Sequence, residues 1–353
     1  MLFVSPFSLV PFLHLMRALL LVLLLSPFLP AHSSRHVAAE MKEGAEIFLA
    51  TLSVEQRKSA QLPLDDQERE SFHYFPMKRA GIRLDQLQPT QRNLAFGLLA
   101  SGLSHRGFLT STQIIALEQV LIENGADQDL RNPEKYYLAI FGSPADHQPW
   151  GWRFEGHHLS LNFTILQGKV TVRPFFMGTN PAEVREGALA GLRPLGKIED
   201  AARSLARELA KAGLNPVFSQ SPPRDIVTGQ SRHAVAPELT GPHHKTFSPD
   251  LQADFHKLIQ KIIALSRPGV LPKDLVSSQN DLHFAWAGSL EPSTPHYFRI
   301  QSESFLIEYA NTQNGTNHAH LVWRDLKDDF GRDLLKEHFE ESHPPREEKA
   351  RSH

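Results

Sequence analysis

A stretch of alternating residues at 150–163 constrains the fold most strongly, because its pattern predicts one long β-strand near the middle of the chain. The stretch contains Arg153, Glu155, His157 and His158. Ionisable side chains are costly to bury unless they are paired, bind a ligand or take part in chemistry. This strand is therefore predicted both to build the core and to carry a functional site.

Strand alternation predicts which of these side chains lie together. One face is expected to carry Arg153, Glu155, His157, Leu159, Leu161 and Phe163. The other face is expected to carry His158, Ser160, Asn162 and Thr164. The neighbours His157 and His158 would then point to opposite faces, so both could bind one metal ion only if Gly156 introduced a β-bulge.

The composition narrows the classes of protein and of site. The 353 residues are enough for one large domain or two modest ones, with an ordinary hydrophobic content of 41%. A formal net charge of -2 gives no electrostatic reason to expect nucleic acid as a partner. The lack of cysteine excludes disulfides, thiolate zinc sites and cysteine nucleophiles.

The N-terminal residues 1–34 are typical of a secretory signal peptide. Arg17 precedes an apolar run, and small or polar residues begin at Ala31, with Met16 as an alternative start. An uncleaved anchor is the other interpretation, because residues 2–29 are apolar enough to span a bilayer. We expect an exported, periplasmic or extracellular protein, in contact with membrane only through this segment if it is uncleaved.

The rest of the chain changes from helical to strand-like periodicity twice. We predict a single α+β domain over residues 40–340, with an antiparallel β-sheet core flanked by helices, and a charged tail over 341–353. The Pro-rich connection 216–249 is a candidate boundary between two halves.

An internal comparison supports two halves. Residues 139–143 align without gaps on residues 285–289, at an offset of 146, and Arg153 then falls on Arg299. The apolar alternation keeps its parity through both stretches. We interpret this as two pseudo-symmetric helix-plus-three-strand halves, with chance agreement between two strand-rich stretches as the alternative.

A second group of histidines lies near the C-terminus. In a strand, His318 and His320 point the same way, about 7 Å apart. The Asn314-Gly315 pair signals a hairpin that places this strand beside residues 305–309. If the two halves meet, His157 or His158 would complete a metal site with these two histidines.

The predicted chemistry follows from this ligand set. Nitrogen and oxygen ligands suit zinc, copper, iron or manganese, and an open coordination position would activate water for hydrolysis, although copper or iron would equally allow redox chemistry. Glu155 is then a fourth ligand or a general base, and Arg153 orients an anionic group of an unknown small-molecule substrate. No nucleotide-binding loop is present, so no nucleotide cofactor is predicted.

Two other interpretations stay open. In the first, the polar residues form a buried structural network in which Arg153 pairs with Glu155. In the second, a non-catalytic pocket binds a small anionic ligand or a metal. There Arg153 and Arg299 clamp the anion, and Asn162, His296 and Asn317 are further candidates.

Several blocks of the sequence resemble a family known as domain of unknown function 3500, over roughly residues 40–338. The matching blocks are Tyr136-Tyr137, Phe141-Gly142, 150–162, Asn180-Pro181-Ala182, 284–288, Asn311-Thr312-Gln313-Asn314, Asn317-His318-Ala319-His320 and Val322-Trp323-Arg324. The chain differs from the family pattern at Ala310, where an Asp is usual, so no ligand role is carried over to that position. The resemblance implies an exported, mostly bacterial lineage and no particular activity.

Overall fold

The computed structural model describes residues 34–270 and 281–342. These residues form one large sheet of 11 strands with seven α-helices, so the α+β class is confirmed. The predicted signal peptide or anchor lies outside the described residues, as does most of the charged tail. None of the helices within the described ranges is long and apolar enough to cross a membrane.

Four helices lie within residues 34–123 and two within residues 196–263, while the last helix follows the final strand. They are α1 (Ser34–Ala50), α2 (Val54–Ala60), α3 (Pro89–Gly102), α4 (His105–Glu123), α5 (Gly196–Lys211), α6 (Pro249–Ile263) and α7 (Arg332–Ser342). Serine hydroxyls cap α2, α4 and α6, because Ser53, Ser104 and Ser248 each accept a hydrogen bond from a backbone N–H of the first turn.

The described residues contain eleven strands. They are β1 (Gln61–Leu62), β2 (Ile82–Arg83), β3 (Tyr137–Phe141), β4 (Trp150–Gly156), β5 (Leu159–Leu166), β6 (Lys169–Thr179), β7 (Val217–Ser219), β8 (His283–Gly288), β9 (His296–Gln301), β10 (Phe305–Asn311) and β11 (Ala319–Asp325). The sheet order is β1-β3-β4-β5-β6-β11-β10-β9-β8-β7, and β2 pairs with β3. The sheet is mostly antiparallel, but β1–β3 and β7–β8 are parallel.

The sheet order repeats on either side of the β6–β11 pair. We call β1–β6 the first half of the sheet and β7–β11 the second half. Counted outwards from the central pair, both halves run through four antiparallel strands to one short parallel strand. The strands β8, β9 and β10 each begin 146 residues after β3, β4 and β5. The predicted hairpin of β10 and β11 is confirmed.

The long strand predicted at 150–163 is wrong in one respect, because the chain reverses in its middle. His157 and His158 form a two-residue turn between β4 and β5, and Gly156 pairs with Leu159. His158 adopts φ 62°, in the left-handed region. The reversal changes the expected faces: Arg153 now lies opposite Asn162, so the charged residues share the polar face and not the face of the apolar residues.

The two faces of the sheet are covered differently. Helices α1 to α6 pack on one face around strand residues such as Trp152, Leu161 and Trp286. The other face is covered by two irregular segments, which we call the first covering segment (63–81) and the second covering segment (220–243). Tyr74 of the first and Ile226 of the second pack in a smaller apolar cluster on that face. The Pro-rich connection therefore lies across the sheet.

Candidate metal centre

The turn between β4 and β5 is held by backbone hydrogen bonds from two sides. The His158 N–H donates to the Tyr74 carbonyl at 3.0 Å, and the Gly178 N–H donates to the His158 carbonyl at 2.8 Å. The Tyr136 hydroxyl donates to the carbonyl of His157 at 2.7 Å. The turn therefore has one fixed position, beside the end of β6.

The second pair of histidines reaches the same place from β11. His320 lies opposite Gly178 in the antiparallel β6–β11 pair, and His318 directly precedes β11. The His318 N–H donates to the side-chain oxygen of Asn311 at 3.1 Å, which fixes the entry into the strand. The central pair of strands thus brings the two predicted groups of histidines together.

Three imidazoles converge at this point, and we call His158, His318 and His320 the histidine triad. Nε2 of His318 lies 2.8 Å from Nε2 of His158 and 3.0 Å from Nε2 of His320. One nitrogen of each residue lies within 4.8 Å of the others, an arrangement able to hold a metal ion. His158 and His320 are buried, with exposures of 3% and 1%, and His318 is partly buried.

Gly178 leaves the space that two of the rings occupy. A Cβ at this position would lie 2.9 Å from Cδ2 of His158 and 2.9 Å from Cδ2 of His320. Contacts this short force a neighbouring group to move, and the backbone carbonyl of Ala319 would lie only 3.2 Å from the same Cβ. A residue without a side chain is therefore needed opposite His320.

A carboxylate from the second covering segment orients one ring. Oδ1 of Asp225 lies 2.6 Å from Nδ1 of His320. A proton on Nδ1 that is donated to this carboxylate leaves the Nε2 lone pair free for a metal ion. The ring of Tyr74 contacts His320 edge-on, with 5.2 Å between the centroids.

The surroundings favour uncharged imidazoles. Burial lowers the pKa of His158 well below its ordinary value, and the neighbouring histidines lower it further. Burial and His320 lower the pKa of His318 to about 3. A metal ion needs neutral imidazole as its ligand, so no proton has to leave these two rings at neutral pH.

His157, also predicted as a ligand, lies outside the triad. Its Nδ1 contacts Oε1 of Glu118 on α4, and Nη1 of Arg131 lies 2.7 Å from its Nε2. Its ring packs on that of His158, with 3.7 Å between the centroids. Both ring nitrogens are thus occupied by protein groups, and His157 forms a wall of the centre.

Glu155 and Arg153 form a buried ion pair on the polar face. Nε of Arg153 lies 2.8 Å from Oε1 of Glu155, and Nε of Arg79 lies 3.5 Å from Oε2. Burial raises the pKa of Glu155, against the lowering effect of the two arginines. Arg153 also donates to the carbonyls of Glu68 and Ser71 in the first covering segment. These contacts match the buried structural network that the sequence left open as an alternative.

The structure does not bring Arg153 and Arg299 into one pocket. Four strands separate β4 from β9, which corresponds to about 24 Å at roughly 4.8 Å per strand. His296 is fully buried against Trp286, at 5.0 Å between ring centroids, and burial together with Arg203 lowers its pKa to about 4.

The two asparagines of the predicted pocket are separated as well. Asn162 is buried on the polar face of β5 and donates to the carbonyl of Pro174 at 3.0 Å. The side chain of Asn317 bonds the backbone of Glu183, accepting from its N–H at 2.7 Å. Neither side chain is a member of the histidine triad.

Sequence reasoning missed three residues of the centre. Asp225 lies in a stretch without periodicity, so no pattern indicated that it packs on a strand. Glu118 had no signal, because a single carboxylate on a helix is ordinarily solvated. Gly178 had a weak signal, since an isolated glycine in a strand indicates close approach of another group.

Comparison with known proteins finds a match to one protein family. Residues 34–332 match the model of the family described as protein of unknown function (DUF3500). No curated protein matches the chain significantly, and neither does any solved structure. The match covers most of the chain, including both halves of the sheet and all three histidines of the triad. The chain therefore belongs to the DUF3500 family.

Proposed function

We propose that this protein binds one divalent metal ion through Nε2 of His158, His318 and His320 and uses it for hydrolysis. The observation that carries the proposal is the convergence of three imidazole nitrogens from two distant parts of the chain. In a tetrahedral site with bonds of about 2.0 Å, ligand nitrogens lie about 3.3 Å apart. The separations of 2.8 and 3.0 Å need to open by only a few tenths of an ångström.

The alternative to a shared ion is unfavourable for this arrangement. Neutral imidazoles each have one donor and one acceptor nitrogen, and Nε2 of His318 faces Nε2 of both other rings. If the rings were protonated, they would repel one another in a buried position, which is costly. A cation between the three nitrogens satisfies all of them at once.

The ligand set favours particular chemistry. Three histidines without sulfur suit zinc, and copper, iron and manganese are further candidates. Three protein ligands on a tetrahedral ion leave one position for water, whose pKa the ion lowers towards neutrality. Asp225 orients His320, and His157 with Arg131 lies beside the centre, where they are placed to contact a substrate. We therefore propose hydrolysis as the reaction class.

A non-catalytic role is the second candidate, and one observation favours it. The triad joins the β4–β5 turn of the first half to β11 of the second half. An ion there would cross-link the two halves of the sheet and stabilise the folded state by its binding free energy. In this case metal removal lowers the melting temperature, but the loaded protein has no turnover.

Metal titration of tag-free protein tests the proposal. After dialysis against a chelator, the wild type should bind one equivalent of Zn²⁺, and of Co²⁺ with the visible absorption of a tetrahedral site. His158→Ala, His318→Ala and His320→Ala should each lose binding, and the exposed His105→Ala should keep it. Ester, amide and phosphoester substrates then separate the two candidates, because only an enzyme turns one of them over in a metal-dependent way. Stoichiometric binding by all three triad variants would contradict the metal site.

We also propose that the protein is exported. The support is the sequence of residues 1–34 and the lack of cysteine, which suits a compartment where free thiols are oxidised. N-terminal sequencing of protein recovered outside the cytoplasm should give a start near residues 31–35. Recovery of the intact N-terminus in the membrane fraction would indicate the anchor instead.

We further propose that the two halves arose by duplication. The support is the common offset of 146 residues for three successive strands, together with the repeated order of strands from the centre to each edge. The halves then supply different ligands to one centre, the first through the turn at His158 and the second through β11.

A further inference from the structure

A cavity of about 700 Å³ lies next to His157, the neighbour of the histidine triad. His157 and Glu118 line it, and the ring of His157 packs on His158 with 3.7 Å between the centroids. One imidazole therefore separates the cavity from the triad. A molecule that fills the cavity lies beside the proposed ion.

The lining of this cavity is rich in cations. Four of its residues are basic, Lys78, Arg79, Arg83 and Lys135, against two carboxylates, Glu118 and Asp129. Glu118 already contacts His157, and Arg131 adds a further cation beside the same ring. Arg79 pairs with Glu155 and Arg83 pairs with Asp85, so the two lysines are the cations of the lining that remain available to a ligand, and they favour an anionic group.

The charges of the second large cavity, of about 530 Å³ beside α5, are balanced in a different way. There three of the five basic side chains pair with carboxylates of the same lining, and Arg207 pairs with Glu291. The pairs are Arg193–Asp200, Arg203–Glu199 and Lys211–Glu208. That cavity therefore has little unpaired charge for an anion, although it contains more basic residues.

Apolar side chains stand at the mouth of the cavity beside the triad. Met77 is 47% exposed and Leu130 is 55% exposed, and both belong to its lining. Large apolar side chains that remain this exposed within a concave site gain free energy when a ligand covers them. The cavity thus offers a basic interior together with an apolar rim.

We infer that this cavity binds the substrate, and that the substrate is a small amphiphilic anion. Its carboxylate or phosphate lies among the lysines, and its short apolar part covers Met77 and Leu130. That the bound anion is a substrate rests on the proposed metal-dependent function. Binding of the anion itself needs no metal.

Calorimetric titration tests the ligand class. Hexanoate and hexyl phosphate should bind saturably to metal-free protein, and the stronger of the two identifies the anionic group. Hexanol lacks the charge, and acetate and inorganic phosphate lack the tail, so each should bind at least tenfold more weakly. The double variant Lys78→Ala/Lys135→Ala should weaken hexanoate binding at least tenfold. The matched control is Lys211→Ala in the other cavity, and it should bind like the wild type.

A second measurement tests whether the cavity serves the triad. With Mn²⁺ bound, the protons of bound hexanoate should relax faster in an NMR experiment, because a paramagnetic ion would lie nearby. His318→Ala should still bind hexanoate but show no enhancement. Equal binding of hexanol, or no effect of the lysine substitutions, overturns the ligand class. If hexanoate binds to protein that holds Mn²⁺ but its protons do not relax faster, the link between the cavity and the metal is overturned. If the protein binds no metal but binds hexanoate normally, only the proposed function is refuted.

Discussion

The two halves of the sheet place an arginine at the same point of the same strand but surround it differently. Arg153 on β4 donates to the carbonyls of Glu68 and Ser71, and Arg299 on β9 donates to the carbonyl of Glu238. Both arginines thus attach a covering segment to the polar face of the sheet. The residue two positions later is Glu155 in the first half, and Gln301 is its counterpart in the second.

This difference bears on the role of Glu155. The Gln301 amide bonds the carbonyl of Pro237 at 2.6 Å, so the second half uses an amide at this position. Its buried carboxylate is Glu308 on β10, opposite Arg299, which accepts hydrogen bonds from the backbone of Val227 and Thr228 in the second covering segment. In the first half the carboxylate also faces Arg79, which lines the cavity beside the triad. Glu155 neutralises the buried cations of Arg153 and Arg79, and this role explains its buried carboxylate without a catalytic function.

The ends of the two hairpins differ more strongly. The first half turns tightly through His157 and His158, whereas the second half turns through a longer loop in which Ser304 is the counterpart of His158. The Ser302 hydroxyl accepts hydrogen bonds from the backbone of this loop. The same scaffold therefore ends in a metal ligand on one side and in a self-contained turn on the other.

The largest effect is expected when this difference is removed. His158→Ser gives the first half the residue that the second half has at Ser304, and it removes one of the three proposed metal ligands. Metal affinity should fall by at least a hundredfold, and the ion should no longer be retained after gel filtration. The reciprocal Ser304→His should leave metal binding unchanged, because no other triad member lies beside that loop. Retention of the ion by His158→Ser would show that the triad is not the site.

The next effect concerns stability and the two arginines. Arg153→Met leaves Glu155 buried with only the more distant Arg79, and we expect a loss of about 3–5 kcal/mol in the free energy of unfolding. Arg299→Met leaves the carbonyl of Glu238 unpaired, while the opposite Glu308 keeps its hydrogen bonds from Tyr297 and from the backbone of Val227 and Thr228, so we expect a loss of about 1–3 kcal/mol. Denaturant unfolding measures both. The double variant Arg153→Met/Glu155→Met should recover part of the loss, and equal losses for the two single variants would contradict the comparison.

A smaller effect depends on pH and arises at a position that is a histidine only in the second half. His296 on β9 is the counterpart of Trp150 on β4, and its pKa is lowered from 6.5 to about 4. The unfolded chain binds a proton at His296 below pH 6.5, but the folded chain does not. Stability is thus full above pH 6.5 and is lost as pH falls towards 4, by about 1.4 kcal/mol per unit and about 3 kcal/mol in all.

The measurement for His296 is a difference between two metal-free proteins. Other buried histidines add a slope of the same sign, so the wild type is compared with His296→Phe, which keeps the aromatic stack on Trp286. Between pH 4 and 6.5, the slope of the free energy of unfolding against pH should be smaller in the variant, by the amount that corresponds to about one bound proton. Parallel pH profiles for the two proteins would show that His296 does not carry this effect.

The smallest effect concerns the two covering segments. The first segment holds the triad through the Tyr74 carbonyl, and the second holds it through the Asp225 carboxylate. Asp225→Asn keeps the shape but weakens the orientation of His320, so metal affinity should fall ten- to hundredfold. Competition with a chelating dye measures this change. Asp254→Asn on α6, whose carboxylate contacts Lys257 at the surface, is the control and should have no effect.

Local patterns were enough for much of the fold. The apolar alternation predicted the strands around Leu161 and Ile307, and the 146-residue offset predicted that β8–β10 repeat β3–β5. The His318-x-His320 spacing placed two imidazoles on one side of β11. These features depend on neighbours a few residues away, so a single sequence contains the information for them.

The reversal at His157 and His158 could not be predicted in the same way. The turn has no Asn-Gly or Gly-Gly pair, and the residues on both sides alternate as in one continuous strand. What holds His158 at φ 62° is a set of hydrogen bonds to Tyr74 and Gly178, which are distant in sequence. The assignment of Arg153 and Glu155 to the apolar face failed for this reason.

By itself, the sequence determined the class of fold, most of the strands, the exclusion of cysteine chemistry and the candidate histidine ligands. It could do so because periodicity and residue type act locally. Only the tertiary structure decided which imidazoles meet, that Asp225 orients one of them and that Arg153 and Arg299 lie far apart. Those outcomes depend on the β6–β11 pairing and on two irregular segments folding over the sheet. Contacts between residues far apart in the chain are fixed by packing as a whole, and no short stretch of sequence contains them.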